Sequence, residues 1–374
     1  ASEITREYGA KLYVCTNTIM KDKDVEMLKE QLPYIKEYGA DGIILSDISL
    51  IDLAVENGLE AHMSVQENTT NFYALKALEK LGVKRAILSR ELSLDEIKEI
   101  TKKLKESDSS IETEVFIHGA MCMAISGRCF LSYGLYGRSA NCGDCLQPCR
   151  KEWKLSFEED ENDDVINFSE CDDESFIISN SYDDSYRTNF FSPKDMALIE
   201  HIPELIEAGI DSFKIEGRMK STYYLATVVR CYRKLIDKYY ECKNLTEQDY
   251  LEYTEEINKA ENRLTSTGFL NGMVTINEQL YDTREEHPTK EYIGYVLDYD
   301  KETKTALIEQ RNYFEVGDSV EFFGPNLENT RTKINNIIDF ETKEELTVAR
   351  HPLQKLLINV DIDIKQHDMM RKVK

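Results

Sequence analysis

The chain has 374 residues, enough for one large domain and a smaller one. Hydrophobic residues make up 41%, so a substantial core is expected, yet no apolar run reaches the roughly 18 residues that a membrane span needs. The net charge of −24 argues against broad non-specific binding to nucleic acid, although a basic patch can sit on one face of an acidic protein.

The N-terminal stretch ASEITREYGAK has no apolar signal-peptide core, and a cytoplasmic location is the default expectation. Short apolar runs with strand character recur at Leu12 to Val14, Gly42 to Leu45, Leu59 to Met63, Arg85 to Leu88, Thr113 to Ile117 and Ser212 to Ile215. Helical patterns lie between them, at Val25 to Tyr38, Asn71 to Leu81 and Leu94 to Leu104. In the last of these, Leu94, Ile97, Ile100 and Leu104 follow the spacing of an amphipathic helix. Ser93 is its expected N-cap, with Glu96 as the capping-box partner.

Strands alternating with helices of this length predict a parallel sheet, either a (β/α) barrel or an open doubly wound sheet. No glycine-rich phosphate fingerprint follows any strand, which weakens the dinucleotide-binding version. Polar groups follow the strands instead: Asn17, Asp47, Ser64, Gln66, Arg90, Glu91, His118, Glu216 and Arg218. In a barrel these would converge on one rim, where active sites sit. Only six strands of barrel type are evident, where a closed barrel of this class needs eight. The expectation is a TIM-like barrel lacking its first two strand–helix units, with open edges.

Between Glu114 and Arg150 runs EVFIHGAMCMAISGRCFLSYGLYGRSANCGDCLQPCR. It holds Cys122, Cys129, Cys142, Cys145 and Cys149, five of the nine cysteines. In a reducing compartment such crowding points to metal binding or redox work. Much of the acid follows between Glu158 and Asp184, read as a solvated excursion in which Phe176 to Ile178 could form a short strand. Ser185 to Phe191 could supply an extra strand. Cys15 and Cys231 read as buried core thiols. Two long helices are expected at Ser221 to Tyr239 and Thr246 to Asn258. Near Pro288 the character changes to short strands at Glu291 to Leu297, Thr305 to Glu309, Asp318 to Phe323 and Lys343 to Val348. The expected domains are residues 1–285, with a cysteine-rich and acidic insertion at 120–190, and a small all-β, barrel-like domain at 286–374.

The cysteine segment resembles the collagenase-like peptidase U32 family. EVFIHGAMC followed after six residues by Cys129 reproduces that family's signature around His118, Gly119, Cys122, Ser126 and Gly127. Further matches are HMSVQ at His62 to Gln66, LSREL at Leu88 to Leu92, SFKIEGRMKS at Ser212 to Ser221 and STGF at Ser266 to Phe269. The resemblance implies a (β/α)8 barrel. It implies two kinds of activity, because the family name refers to proteolysis while the better understood members are oxygen-independent hydroxylation factors. Those act on a tRNA wobble uridine with prephenate as co-substrate, or on an rRNA cytidine; others serve quinone biosynthesis. An iron–sulfur cluster on four cysteines is implied as well, with Cys122, Cys129, Cys145 and Cys149 as matching ligands. Ala197 stands where relatives often place another cysteine, so the fourth ligand stays open among Cys142, Cys145, Cys149 and Cys171. Zinc on these thiolates is the alternative.

The expected catalytic residues are His118, Glu91, Glu216 and Arg218. Gln66, Arg90, Lys220 and Arg128 are the expected substrate-binding residues, for an anionic small carboxylate or for RNA phosphate. The leading reading is an enzyme or component of tRNA or rRNA hydroxylation. A U32-type peptidase and a non-catalytic metal-binding protein are the alternatives. HExxH and GxSxG motifs are absent, so proteolysis would need a nucleophile such as a cysteine paired with His118.

Overall fold

The computed structural model describes residues 1–159, 164–170, 186–189, 191–260, 263–280 and 291–373. Two compact units emerge: residues 1–216 with 264–284, and residues 217–263 with 285–374. Phe176 to Ile178 and Cys171 lie outside the described residues.

In the first unit, strands β1 (Tyr13–Thr16), β2 (Gly42–Leu45), β3 (Glu60–Met63), β4 (Arg85–Ile87) and β5 (Glu112–Gly119) pair side by side in parallel. Helices α2 (Asp22–Glu37), α3 (Leu50–Glu56), α4 (Phe72–Lys80) and α5 (Leu94–Glu106) connect them, after a short α1 (Ser2–Glu7). Strand β2, flanked by β1 and β3, is GIIL, buried at all four positions, as a strand covered on both faces must be. Gly42 is obligatory there, because a Cβ would lie 2.5 Å from the Glu60 carbonyl oxygen.

The helices start where their caps dictate. Asn71 accepts from the Ala74 amide at 2.9 Å. Ser93 and Glu96 form the expected capping box on α5, and Leu94, Ile97, Ile100, Thr101 and Leu104 make its buried face. Ser93→Ala should therefore cost about 1 kcal/mol of stability, read from denaturant midpoints. An unchanged midpoint would mean that the cap is dispensable.

Beyond β5 the sheet becomes mixed. The α6 helix (Leu131–Tyr136) lies in the cysteine segment, and β6 (Trp153–Glu159), β7 (Asp164–Glu170) and β8 (Tyr186–Thr188) form a separate antiparallel sheet. Part of the acidic stretch is therefore a hairpin, and Tyr186–Thr188 pairs with β6 rather than completing the main sheet. The main sheet instead gains β9 (Asp195–Ala197), antiparallel to β5. After α7 (Ile202–Ala208) comes β10 (Ser212–Ile215), parallel to β5, and β11 (Thr265–Ser266) pairs with β9. The result is an α/β unit built on an eight-stranded mixed sheet, consistent with a degenerate barrel-like fold.

The second unit contains α8 (Thr222–Cys242) and α9 (Glu247–Asn258), capped by Ser221 and Thr246. Its β-rich part comprises β12 (Glu291–Asp300), β13 (Thr305–Gln310), β14 (Phe314–Glu315), β15 (Ser319–Gly324), β16 (Leu327–Lys333), β17 (Ile337–Asp339), β18 (Glu345–Leu346), β19 (Val348–Ala349), β20 (Lys355–Asn359) and β21 (Met369–Lys372). Eight of these make one antiparallel sheet, in the order β16-β15-β21-β12-β13-β20-β17-β18. Ile293, Val296, Phe314, Phe322, Ile358 and Met370 fill its core. Cys231 is buried as expected, but Cys15 is exposed, so its reading as a core thiol is corrected.

Among the described residues, no helix is long and apolar enough to cross a membrane.

Candidate functional site

The parallel strands deliver their polar residues to one end of the sheet. Asn17, after β1, donates to the Ser64 hydroxyl after β3 at 2.9 Å, and the Ser46 hydroxyl donates to the Asn17 carbonyl at 3.0 Å. Ser64 caps a single 3-10 turn at Val65–Glu67, which ends on Asn68 in the left-handed region, φ 54°. This turn receives the cysteine segment. Asn68 Nδ2 donates to the Gln66 and Ser126 carbonyls at 3.1 and 2.7 Å. Gly127 approaches so closely that a Cβ would lie 2.7 Å from the Gln66 carbonyl oxygen. A cavity of about 230 Å³ opens beside it, lined by Asp47, Gln66, Glu67 and Arg128 among others. The Gln66 Oε1 is buried with no hydrogen-bond partner among the described residues.

Arg90 is the second anchor. Its Nη1 donates to the Ala120 carbonyl at 2.8 Å, and its guanidinium lies 3.7 Å from the centre of the Phe116 ring. Its Nε is buried and has no partner among the described residues. Burial pulls the pKa of this group down, opposed by Cys122, Glu216 and Glu91. A void of about 20 Å³ beside Arg90, Phe116 and Thr267 is large enough for one water. Glu91 is held by the Ser89 hydroxyl. His118 is fully buried on β5, and its carbonyl accepts from the Glu216 amide at 2.9 Å.

Gly119 makes this last approach possible. It has φ 116°, and a Cβ would lie 2.5 Å from the Glu216 carbonyl oxygen. Gly119→Ala should thus lower stability by about 2–3 kcal/mol and displace the start of the cysteine segment. Thermal unfolding reads the first effect and thiol-labelling rates at Cys122 the second; wild-type values in both would refute the close contact.

Sequence reasoning passed over Arg150 and Asn68. Arg150 donates to the Met121 carbonyl at 2.6 Å, the Ser192 hydroxyl at 3.2 Å, the Pro193 carbonyl and Asp195. It ties the end of the cysteine segment to its beginning. Trp153 is buried and donates to the Pro148 carbonyl at 3.1 Å, so it packs under the Cys149 turn. Nothing in the spacing of Arg150 marks it; two of these partners are backbone carbonyls, and all lie far away in sequence.

The structure places Gln66, Arg90, Glu91, His118, Arg128 and Glu216 in the first unit. Arg218, exposed, and Lys220, with Nζ 4.6 Å from the Tyr224 ring centre, fall in the second. β10 ends at Ile215, so Glu216 and Arg218 follow a strand rather than share a strand face.

The cofactor expectation is corrected. Among the described residues, no group of three or more His, Cys, Asp or Glu side chains is placed to hold a metal ion. Cys122, Cys129, Cys145 and Cys149 are free thiols, and neither the iron–sulfur cluster nor zinc fits them as arranged. Burial pushes the Cys149 thiol up to about 11; Arg150 opposes this, and Cys122, Cys145 and Cys129 add to it. Cys122, exposed by surface area, is raised too by partial desolvation, against Arg90 and Arg150. Ala197, where relatives often carry a cysteine, sits in β9 opposite His118.

Comparison with known proteins supplies the context. The model of peptidase family U32 matches residues 1–280, and that of the peptidase family U32 C-terminal domain matches residues 288–371. The chain is 40% identical over 375 residues to tRNA hydroxylation protein P1 of Bacillus subtilis, covering 100% of this chain and 83% of that one. It is 39% identical over 317 residues to an uncharacterized protease of Methanocaldococcus jannaschii, covering 84% and 73%. A crystal structure of the C-terminal domain of a Geobacillus thermoleovorans U32 peptidase matches 22% of this chain and 93% of its own, at 48% identity and a TM-score of 0.22. Homology to these enzyme-named relatives supports an enzymatic role. With family models covering both the α/β part and the β-rich part, the chain belongs to peptidase family U32.

Proposed function

We propose that this protein is an enzyme or component of RNA hydroxylation acting on tRNA, with the strand-end rim of the first unit as its site. The observation that carries the reading is Arg90, a planar cation whose Nε is buried and unpartnered beside the rim. Such a fork suits a carboxylate or the carbonyl edge of a base. Gln66, with its buried Oε1, and Arg128 would hold the rest of the substrate across the neighbouring cavity. His118, Glu91 and Glu216 are the groups available for proton transfer. The similarity to a protein named for tRNA hydroxylation, running through 100% of this chain, favours this reading over other chemistries of a planar anion site. Residues 1–285 would carry the chemistry, on an incomplete (β/α) barrel, and residues 286–374 would serve recognition.

The peptidase reading is weaker. A cysteine nucleophile needs a lowered pKa, whereas Cys122 and Cys149 are both raised. Expression in a bacterium deleted for its own tRNA hydroxylation proteins, followed by mass spectrometry of tRNA nucleosides, tests the proposal. Return of a hydroxylated uridine is expected; its absence, with the chain folded and abundant, would sink the reading.

A further inference from the structure

The second unit holds a pocket that the rim does not use. Its volume is about 320 Å³, at the lower end of the 300–1,000 Å³ typical of ligand sites and enough for one nucleotide-sized group. One wall is α8 and the other is the Gly324–Pro325 turn with Met369. The interior is apolar: Met369 is buried, and Val229 stands at the mouth, 49% exposed.

Cations line one side. Arg230 is committed to structure, donating to the Gly324 and Leu327 carbonyls at 2.8 Å each, and so forms a rigid wall. Arg233 and Lys234 are different. Arg233 pairs along its own helix with Asp237, and both side chains are more than half exposed. Lys234 pairs with Glu328, whose side chain is 85% exposed. Exposed pairs of this kind are worth about 0–1 kcal/mol, so a phosphate can displace either carboxylate. Of the charged residues lining the pocket, three are cationic and Asp237 alone is acidic, in a chain of net charge −24. His367 is fixed at the rim by the Tyr295 hydroxyl.

An apolar slot for a flat group, with two displaceable ion pairs at its mouth, suits a base with its phosphate. The open mouth leaves room for a strand to run past. We infer that this pocket takes one nucleotide of an RNA strand, its base against Val229, Pro325 and Met369 and its phosphate on Arg233 and Lys234. This rests on the reading of the protein as an RNA-hydroxylation component and deepens it by giving the substrate a second hold.

The test uses the full chain with methyl-labelled methionine. Its probes are uridine 5′-monophosphate, a labelled ten-nucleotide single-stranded RNA, and heparin as a polyanion without bases. Both the nucleotide and the RNA should move the Met369 methyl resonance. Charge reversal in Arg233→Glu/Lys234→Glu should weaken RNA binding at least about tenfold. Val229→Trp, which fills the slot without changing charge, should weaken RNA by a similar factor and leave heparin binding unchanged. Val229 and Arg233 are exposed and Lys234 is half-buried, and wild-type thermal midpoints would establish that both variants fold. RNA binding unaffected by Val229→Trp, or a Met369 resonance that moves for the mononucleotide and not for RNA, would overturn the proposal. A chain that binds RNA at Met369 yet restores no hydroxylated nucleoside would sink the hydroxylation reading and leave the pocket standing. Restored hydroxylation that is unchanged in Val229→Trp, with RNA binding also unchanged, would do the reverse.

Discussion

Replacing Arg371 with leucine should destabilise the second unit by about 3–5 kcal/mol, the largest stability effect of any single change considered. Arg371 is completely buried. Its guanidinium donates to Glu256 at 2.8 and 3.0 Å and to Glu321 at 2.8 and 2.5 Å, and it lies 4.4 Å from the centre of the Phe323 ring. Lys259 also reaches Glu256, and Arg230 lies 3.6 Å from it. The cluster joins β21 and β15 to α9. Removing its central cation leaves two buried carboxylates neutralised only in part, by Lys259 and Arg230 at Glu256 and Arg331 at Glu321, and a buried charge deprived of its main partner costs more than the intact pair contributes.

The pH dependence sharpens this prediction. Burial pushes the Glu256 and Glu321 carboxyls up, but Arg371, together with Lys259 and, for Glu321, Arg331, holds both below the usual carboxylate range. A depressed carboxyl contributes stability above its unfolded pKa, and the contribution is lost as pH falls through the folded value. Wild-type stability should therefore decline on acidification below about pH 4.3. In Arg371→Leu both carboxyls lose their strongest cation while Lys259 and Arg331 stay, so their folded pKa values rise and the penalty of the substitution shrinks as pH falls. Urea unfolding at pH 7 and pH 4 measures both. A penalty under about 1 kcal/mol at pH 7, or one that grows with acid, would show that Arg371 is not the keystone of the cluster.

The second large effect falls on activity. Arg90→Gln should lower RNA hydroxylation by about 100-fold or more, the scale for losing a preorganised donor in a closed site. Arg90→Lys should not rescue it, because an ammonium keeps the charge and loses the planar fork. Since Arg90 also holds the Ala120 carbonyl, some loss could come from the cysteine segment shifting. Unfolding midpoints separate the two: a catalytic role requires the activity loss with little change in stability. Wild-type activity in Arg90→Lys would reduce Arg90 to a point charge.

The α/β half was legible because each strand is a compact apolar run and each helix carries its own cap. Gly42–Leu45 and Ser212–Ile215 fall where the runs place them, and Ser93 with Glu96 starts α5. The strand Asp195–Ala197 was not legible: three residues, one of them a buried aspartate, give no period. No strand was expected at Met369–Lys372, yet Arg371 there is fully buried, because its carboxylates come from 50 and 115 residues away. The site was half legible. Arg90 and Gln66 follow strands, His118 lies at the end of one, and all three could be named, whereas Arg150 and Asn68 act through backbone carbonyls that the folded cysteine segment brings near. The cysteines misled in the other direction. Crowding in sequence suggested a metal, but no metal-holding group forms among the described residues.

The most direct measurement is nucleoside mass spectrometry of tRNA from cells lacking their own hydroxylation proteins and expressing this chain or its Arg90→Gln variant. The account predicts a hydroxylated uridine with the wild type and about one hundredth of it with the variant. No hydroxylated nucleoside from the folded wild-type chain, or equal amounts from both, would contradict it.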